Sequence, residues 1–490
     1  GRADGKSHAT LNEAARLSED AATRVLLLEA GPPDSSPWVR LPAGYAKLYG
    51  SGIYDPKFMT EPEPGLGGRQ IHWPRGRVLG GSSAVNGMIF GLQRTKVLIT
   101  LLATGFYLLF GDLIARLLSG HSVSFGWQVW VAAGRRRFGD FYDGGPIDGV
   151  GPVQLTVDGR FRSSSARTYL RPALSRANLV VRTGIAVQRL LFEGQRCVGV
   201  ATAQGEFRAR RCVVVSAGAI ETPKLLMLSG IGDGAALQEF GIPVVAHSPG
   251  VGRNLQDHLI AKFIFRTRPC GTLNEILRSR IRQAAIGLDW LLRGQGPLGI
   301  GAGEATGFLR VTPGAEEAEA QLLFVNFATF DYTKGLADFP GVMLNYGPCR
   351  PDSRGTISLR SPDPADKPVI RPNYLDHPND LRVMLGAAAI CRRIVAEPPF
   401  RDLVEEELRP GPDARDEAAI EANIRATAGT VFHPCGTARM GSDDRAVLDP
   451  ELRVRGVEDA SVFPLIPSPN IQPAALMVGE RCAEFLRRAG

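Results

Sequence analysis

Residues Arg24 to Gly31 read RVLLLEAG, and no other run constrains the fold of this chain as much. An apolar stretch without alternation, closed by an acid and a glycine, suits a strand buried on both faces within a parallel sheet. Just before it, Leu11, Ala14 and Leu17 fall at helical spacing on one side of their segment. Helix, buried strand, then acid is the back half of a dinucleotide-binding βαβ unit. There a carboxylate at the strand end accepts hydrogen bonds from a ribose. Glu29 holds that position, and an acid that merely ends a buried strand in solvent is the competing reading.

Such a fold needs length and apolar mass, and 490 residues at 44 % hydrophobic and 22 % charged supply both, with room for two or three domains. The net charge is +7 and the one short basic run is Arg135–Arg137, so no nucleic-acid partner is expected. Seven cysteines are scattered without a Cys-x-x-Cys pair, and the seven histidines never reach zinc spacing. Neither a disulfide framework nor a metal site is expected. No signal-peptide pattern opens the sequence, which leaves a reducing, cytoplasmic setting as the expectation.

Further along, PRGRVLGGSSAVNG at 74–87 packs glycines and serines densely enough to let a backbone lie against a ligand and offer it amides and hydroxyls. Val97 to Phe110 is almost wholly apolar, but fourteen residues fall short of the roughly 20 that cross a bilayer. A buried or interfacial helix is expected there. Strands are expected at 178–182, 187–192, 211–216, 321–326 and 356–359. The strand at 211–216 should lead into a helix capped by Thr222, begun by Pro223 and stopped by Gly230. Asp380 to Ala396 carries Leu381, Met384, Leu385 and Ala388 on one stripe behind Asn379 as a cap. The glycines of 299–303 are a decoy, because Glu304 and Thr306 stand where a third fingerprint glycine is needed.

LLLEAG at 26–31, PRGRVLGGSSAVNGM at 74–88 and SAGAIETPKLLMLSGIG at 216–232 resemble the glucose–methanol–choline flavin oxidoreductases in this order. GVGRNLQDHL at 250–259, DSRGTISLRSPDP at 352–364, HPCGTARMG at 433–441 and DASVFPLIPSPN at 459–470 extend the resemblance, which is nearest to the choline-dehydrogenase-like bacterial alcohol dehydrogenases. It covers roughly residues 11–90 and 143–490. The implied fold class is α/β, α+β overall, with a Rossmann-type domain for flavin adenine dinucleotide (FAD) and an inserted substrate domain on an antiparallel sheet. On this reading residues 1–90, 143–256 and 428–490 form the FAD domain, 257–427 the substrate domain, and 91–142 an atypical replacement for the family's lid.

The resemblance also implies roles. The family oxidises an alcohol to a carbonyl by moving hydride to flavin N5. Glu29 would bind the adenosine ribose, and Gly80, Gly81, Ser82, Ser83 and Asn86 would line the pyrophosphate and flavin. Val187 would meet the adenine through its backbone, and Asp459 and Ala460 would approach the ribityl-pyrophosphate region. His433 matches the catalytic histidine, and an imidazole titrating near neutrality suits uptake of the hydroxyl proton. The second catalytic position, an asparagine or histidine in the family, falls on Gln472, with Asn470 as a neighbour able to substitute. Partners would be a small alcohol and an electron acceptor, oxygen or a quinone-type carrier. Docking of Val97–Leu118 on a membrane as an interfacial helix is a further reading.

The sequence also departs from the family. Its first ten residues, GRADGKSHAT, carry no G-x-G-x-x-G and no strand. Resemblance breaks at Gly91 and returns near Asp143, as two compensating frame shifts or a misassembled gene would leave it. A strand beside the cofactor is shortened before Asp459, and glutamine at 472 moves the amide on a longer stem. A degenerate, non-catalytic product that no longer binds FAD therefore stands as the alternative to an alcohol-oxidising enzyme.

Overall fold

The expected helix and strand form at His8–Leu17 and Val25–Glu29, but the strand is not buried on both faces: Leu27 and Glu29 are buried while Leu26 is exposed. In this computed structural model, residues 8–90, 149–294, 296–299, 301, 303–332, 334–454, 457–459 and 472–488 are described. Val25–Glu29 pairs in parallel with Leu179–Thr183, each residue from Val25 to Glu29 matched to one from Leu179 to Thr183. The helix packs between this pair and the last helix, Gln472–Arg488, with Arg16 bonded to Glu480 at 2.9 Å. Its buried face is wider than the predicted stripe. Asn12 and Glu13 are buried as well as Leu11 and Ala14, and Glu13 accepts a 3.0 Å bond from Ser216.

The strand expected at 211–216 is shorter than read. Only Val214–Val215 joins a ladder, in parallel with Glu458 and Asp459 of Val457–Asp459. The following helix also departs from expectation. It runs Gly218–Leu228 with Pro223 inside it, rather than starting at Pro223 behind a Thr222 cap. Pro223 has no N–H to offer the carbonyl of Ala219 four residues back, and that oxygen instead accepts from Thr437 Oγ1 at 2.7 Å. Gly230, at φ 86°, ends the helix as expected.

The second layer is a seven-stranded antiparallel sheet. Its order runs Val404–Arg409, Leu259–Thr267, Gly341–Pro348, Ala320–Val325, Ala305–Leu309 and Gly149–Pro152, with Gly429–Thr430 paired to the start of Leu259–Thr267. Alternation aims Phe263 and Phe265 to one side, where their rings stack at 5.9 Å against the helix Pro378–Ala396 and its neighbours. Each such ring, fully buried, contributes about 1.5–3 kcal/mol. The cap of that helix is His377, which accepts from Asn379 N at 3.3 Å, and not Asn379 as expected. Pro378, with its preset φ and missing N–H, takes the first helical position and moves the start back. Among the described residues no helix is long and apolar enough to cross a membrane. The apolar segment Val97–Leu118 lies outside the described residues.

Candidate active site

Two segments from different parts of the chain face each other across a cavity of about 140 Å³. One is Pro74–Met88. Its turn is possible only with glycine: Gly80 and Gly81 adopt φ 104° and 51°, and a Cβ on Gly76 would stand 2.3 Å from the backbone of Gly81. Ser82 Oγ accepts from Gly76 N at 3.0 Å, and Ser83 Oγ donates to Gly80 O at 2.6 Å while lying 3.1 Å from Ser165 Oγ. Ser82 and Asn86 reach the cavity. Gly80, Gly81 and Ser83 hold the turn behind them.

Asn86 is fixed by a buried cation that sequence reading missed. Arg162 is 1 % exposed and donates to the backbone and side-chain oxygens of Asn86 at 2.6 and 2.7 Å, and to Pro42 O at 3.1 Å. Burial pulls its pKa down to about 10.

The far end of this wall meets the predicted ribose acid. Glu29 is buried, and its Oε1 accepts from Gly31 N at 2.8 Å. Gly31 lies so close to Arg77 that a Cβ would stand 2.2 Å from that residue's carbonyl. Leu79 N donates to Pro32 O at 2.9 Å, so the acid's loop and the glycine turn form one continuous surface. Ile185 N donates to Glu29 O at 2.9 Å, which brings Val187, two residues on at the start of its strand, to the same edge. A buried acid beside a closely packed, glycine-built turn on one surface fits the edge of a dinucleotide site.

The opposing wall joins Asp257–His258 to Thr430–His433. Asp257, 5 % exposed, accepts from His433 N at 2.7 Å, from Thr430 Oγ1 at 2.5 Å and from the Tyr374 hydroxyl. Withdrawal from water raises its pKa to about 6 against the pull of these donors and of Arg75. Phe432 sits at φ 69°, a left-handed conformation that costs about 1–3 kcal/mol in a residue with a bulky side chain. Both its backbone groups are held: its N–H donates to Thr430 Oγ1 at 2.6 Å, and its carbonyl accepts from Arg75 at 2.5 Å. Its ring meets Tyr49 edge-on at 5.5 Å.

This strained turn delivers His433. Its Nδ1 lies 2.8 Å from Nδ1 of His258, and Nε2 of His258 lies 2.8 Å from the carbonyl of Cys349. Desolvation lowers both histidines, His258 to about 4 and His433 well below its ordinary value, with His258 and Arg75 adding to the effect on His433. Both imidazoles are thus neutral near pH 7. Tyr45, Tyr49, Tyr332 and Asn345 complete the rim.

Of the predicted site residues, the fold brings Ser82, Asn86 and His433 to one cavity, and Glu29 and Val187 to one edge beyond it. Gln472 begins the last helix, and Asp459 ends a short strand beside Val215. Asn470, Ala460 and the whole of 91–142 lie outside the described residues. Asp257, His258, Arg75, Arg162, Tyr374 and Thr430 were not singled out. An acid next to a histidine in NLQDHL was the available signal for the first two, whereas Tyr374 and Thr430 have none in their neighbours.

Comparison with known proteins agrees with this architecture. Family models described as GMC oxidoreductase match residues 134–260 and 351–479, the first beginning before Asp143, where resemblance was read to resume. An oxygen-dependent choline dehydrogenase of Brucella canis is 35% identical over 96% of this chain and 92% of its own length. An uncharacterized GMC-type oxidoreductase of Mycobacterium bovis is 37% identical over 97% of this chain and 96% of its own. Among solved structures, a formate oxidase from Aspergillus oryzae, studied for its FAD modification, superposes with a TM-score of 0.88 at 26% identity, covering 99% of this chain and 97% of the other. Pyridoxine 4-oxidase from Mesorbium loti gives 0.81 at 26% identity, over 98% and 97%. The chain belongs to the GMC oxidoreductase family of flavoenzymes, and FAD is its cofactor.

Proposed function

We propose that this protein oxidises a small alcohol to a carbonyl, with His433 Nε2 as the base that takes the hydroxyl proton. Bound FAD supplies the acceptor for the hydride that leaves the alcohol carbon as its proton departs. Glu29 would hold the adenosine ribose, Val187 the adenine edge, and the turn Gly80–Ser83 with Asn86, Asp459 and Ala460 the pyrophosphate and flavin. Gln472 or Asn470 would orient the hydroxyl. The single observation that carries the reading is that a buried network aims His433 into a cavity it shares with Asn86. A base must be unprotonated to act, and desolvation keeps it so. Oxygen or a quinone-type carrier would take the electrons afterwards.

The described lining favours an uncharged alcohol with an apolar or aromatic end. It contains Tyr45, Tyr49, Tyr332 and Phe432, and its one charged side chain is the cation Arg75. Anaerobic stopped-flow mixing of the FAD-loaded protein with benzyl alcohol and with choline tests the reading, and benzyl alcohol is expected to reduce the flavin faster. His433→Ala should slow that reduction by about 100-fold or more while the flavin stays bound. Reduction at an unaltered rate in the variant would remove His433 from the chemistry.

A further inference from the structure

The base has a neighbour whose hydrogen bonding leaves it no choice of role. Nε2 of His258 faces the carbonyl oxygen of Cys349 at 2.8 Å. A carbonyl only accepts, so this nitrogen carries a proton. His258 is 4 % exposed, and burial holds its pKa near 4, so the ring has a single proton. Its Nδ1 is then a lone pair. That lone pair lies 2.8 Å from Nδ1 of His433, and two lone pairs do not meet at such a distance.

We propose that His258 is a positioning residue that fixes the tautomer of His433. It accepts the Nδ1–H of His433 and so leaves Nε2 as the unprotonated nitrogen, with the carbonyl of Cys349 setting the direction of the whole chain of bonds. The backbone of His433 is aimed independently through its N–H to Asp257, so the loop supplies position and His258 supplies protonation pattern. The two rings meet edge-on, with centroids 5.1 Å apart and planes at 77°. In that arrangement the lone pair of one ring is directed at the N–H of the other. A carboxylate in the place of His258 would fix the same tautomer, but it would also stabilise the imidazolium and raise the base's pKa. A neutral imidazole orients without doing so, which suits a base that must stay neutral before it acts. The inference rests on His433 being the base.

Selective 15N-histidine labelling of the oxidised, FAD-loaded protein tests it without any substrate. The sequence has seven histidines, and the His433 signals are those lost in His433→Ala. Nδ1 of His433 is expected to carry the proton, with Nε2 showing the shift of a bare ring nitrogen. A proton on Nε2 overturns the proposal. Two variants give the kinetic arm, read as flavin reduction by benzyl alcohol and by choline. His258→Asn keeps an acceptor oxygen near the Nδ1 position and should stay within about tenfold of the parent rate. His258→Gln keeps a donor near Nε2 but no acceptor facing His433, and should lose about 100-fold in the limiting rate with little change in alcohol affinity. Equal losses in both variants with FAD retained point to packing alone and overturn it. If His433→Ala reduces flavin at the parent rate, the base assignment falls and this inference with it. If His433→Ala is inactive but Nε2 is protonated, only the tautomer inference falls. Should His258→Gln not fold, the spectrum of the parent protein still decides.

Discussion

Along Pro74–Met88 the cavity wall is made by consecutive residues, whose glycines fold the backbone on itself and whose serines bond to atoms a few positions away. The facing wall is made by Asp257, His258, Cys349, Tyr374 and Thr430–His433, gathered from segments spread over 176 residues of the chain. The first wall is chemically quiet, with no acid or histidine between 74 and 88. The second concentrates the groups whose pKa values are displaced. Holding a cofactor needs shape and amides, which a local motif supplies. Holding a base at a fixed protonation state needs buried partners from several directions, which only the tertiary fold supplies.

The sharpest way to break this contrast is to empty the centre of the second wall. Asp257→Ala leaves the Thr430 and Tyr374 hydroxyls and the His433 N–H without their acceptor. We expect a loss of about 3 kcal/mol or more of stability and about 100-fold in flavin reduction. Thermal unfolding and stopped-flow traces measure both, and a variant as stable and fast as its parent would show the network to be incidental.

Glu29→Ala probes the other wall. If the carboxylate it removes holds the adenosine ribose as proposed, FAD should bind about tenfold more weakly. Titration by flavin fluorescence reads this directly. An unaltered affinity would reduce Glu29 to a strand-end acid that holds Gly31 N.

The smallest effect concerns pH. A histidine whose pKa is lowered on folding contributes stability that is present above its unfolded value of 6.5 and lost as pH falls toward the folded one, about 4 for His258. Asp257, raised from 3.8 to about 6, acts in the opposite sense across much of that window, its contribution growing as pH falls. Replacing His258 by glutamine isolates its share. Between pH 6.5 and 5 the variant's stability should fall less steeply than the parent's, by about 1 kcal/mol per pH unit. Parallel melting curves across that range would mean that His258 does not titrate on unfolding.

The same contrast governs what the sequence made readable. RVLLLEAG announced a parallel strand because apolar continuity is a local property, and the ladder from Val25 to Glu29 is where it was expected, although Leu26 is exposed and not buried as that continuity implied. The glycine wall and His433 were picked out through motifs whose residues are neighbours, and the fold places Ser82, Asn86 and His433 on one cavity. Pro223 misled because proline usually opens a helix, and the hydroxyl that satisfies Ala219 O comes from Thr437, far along the chain. Tyr374 and Thr430 carried no sign at all. Their role exists only because Asp257 is buried between them, and no pattern of spacing encodes that meeting.

Phe432 links the two demands in a way that bears on altering this protein. Its side chain borders the cavity, which makes it an obvious position for remodelling substrate fit, while its backbone occupies a region that most side chains avoid. Valine, isoleucine or threonine at 432 would oppose the turn that carries His433. Glycine and asparagine accept the turn but take away the ring that meets Tyr49. The alphabet open to position 432 is therefore short, and variation in cavity shape is more readily found at Tyr45, Tyr332 and Asn345, where the base is not at stake.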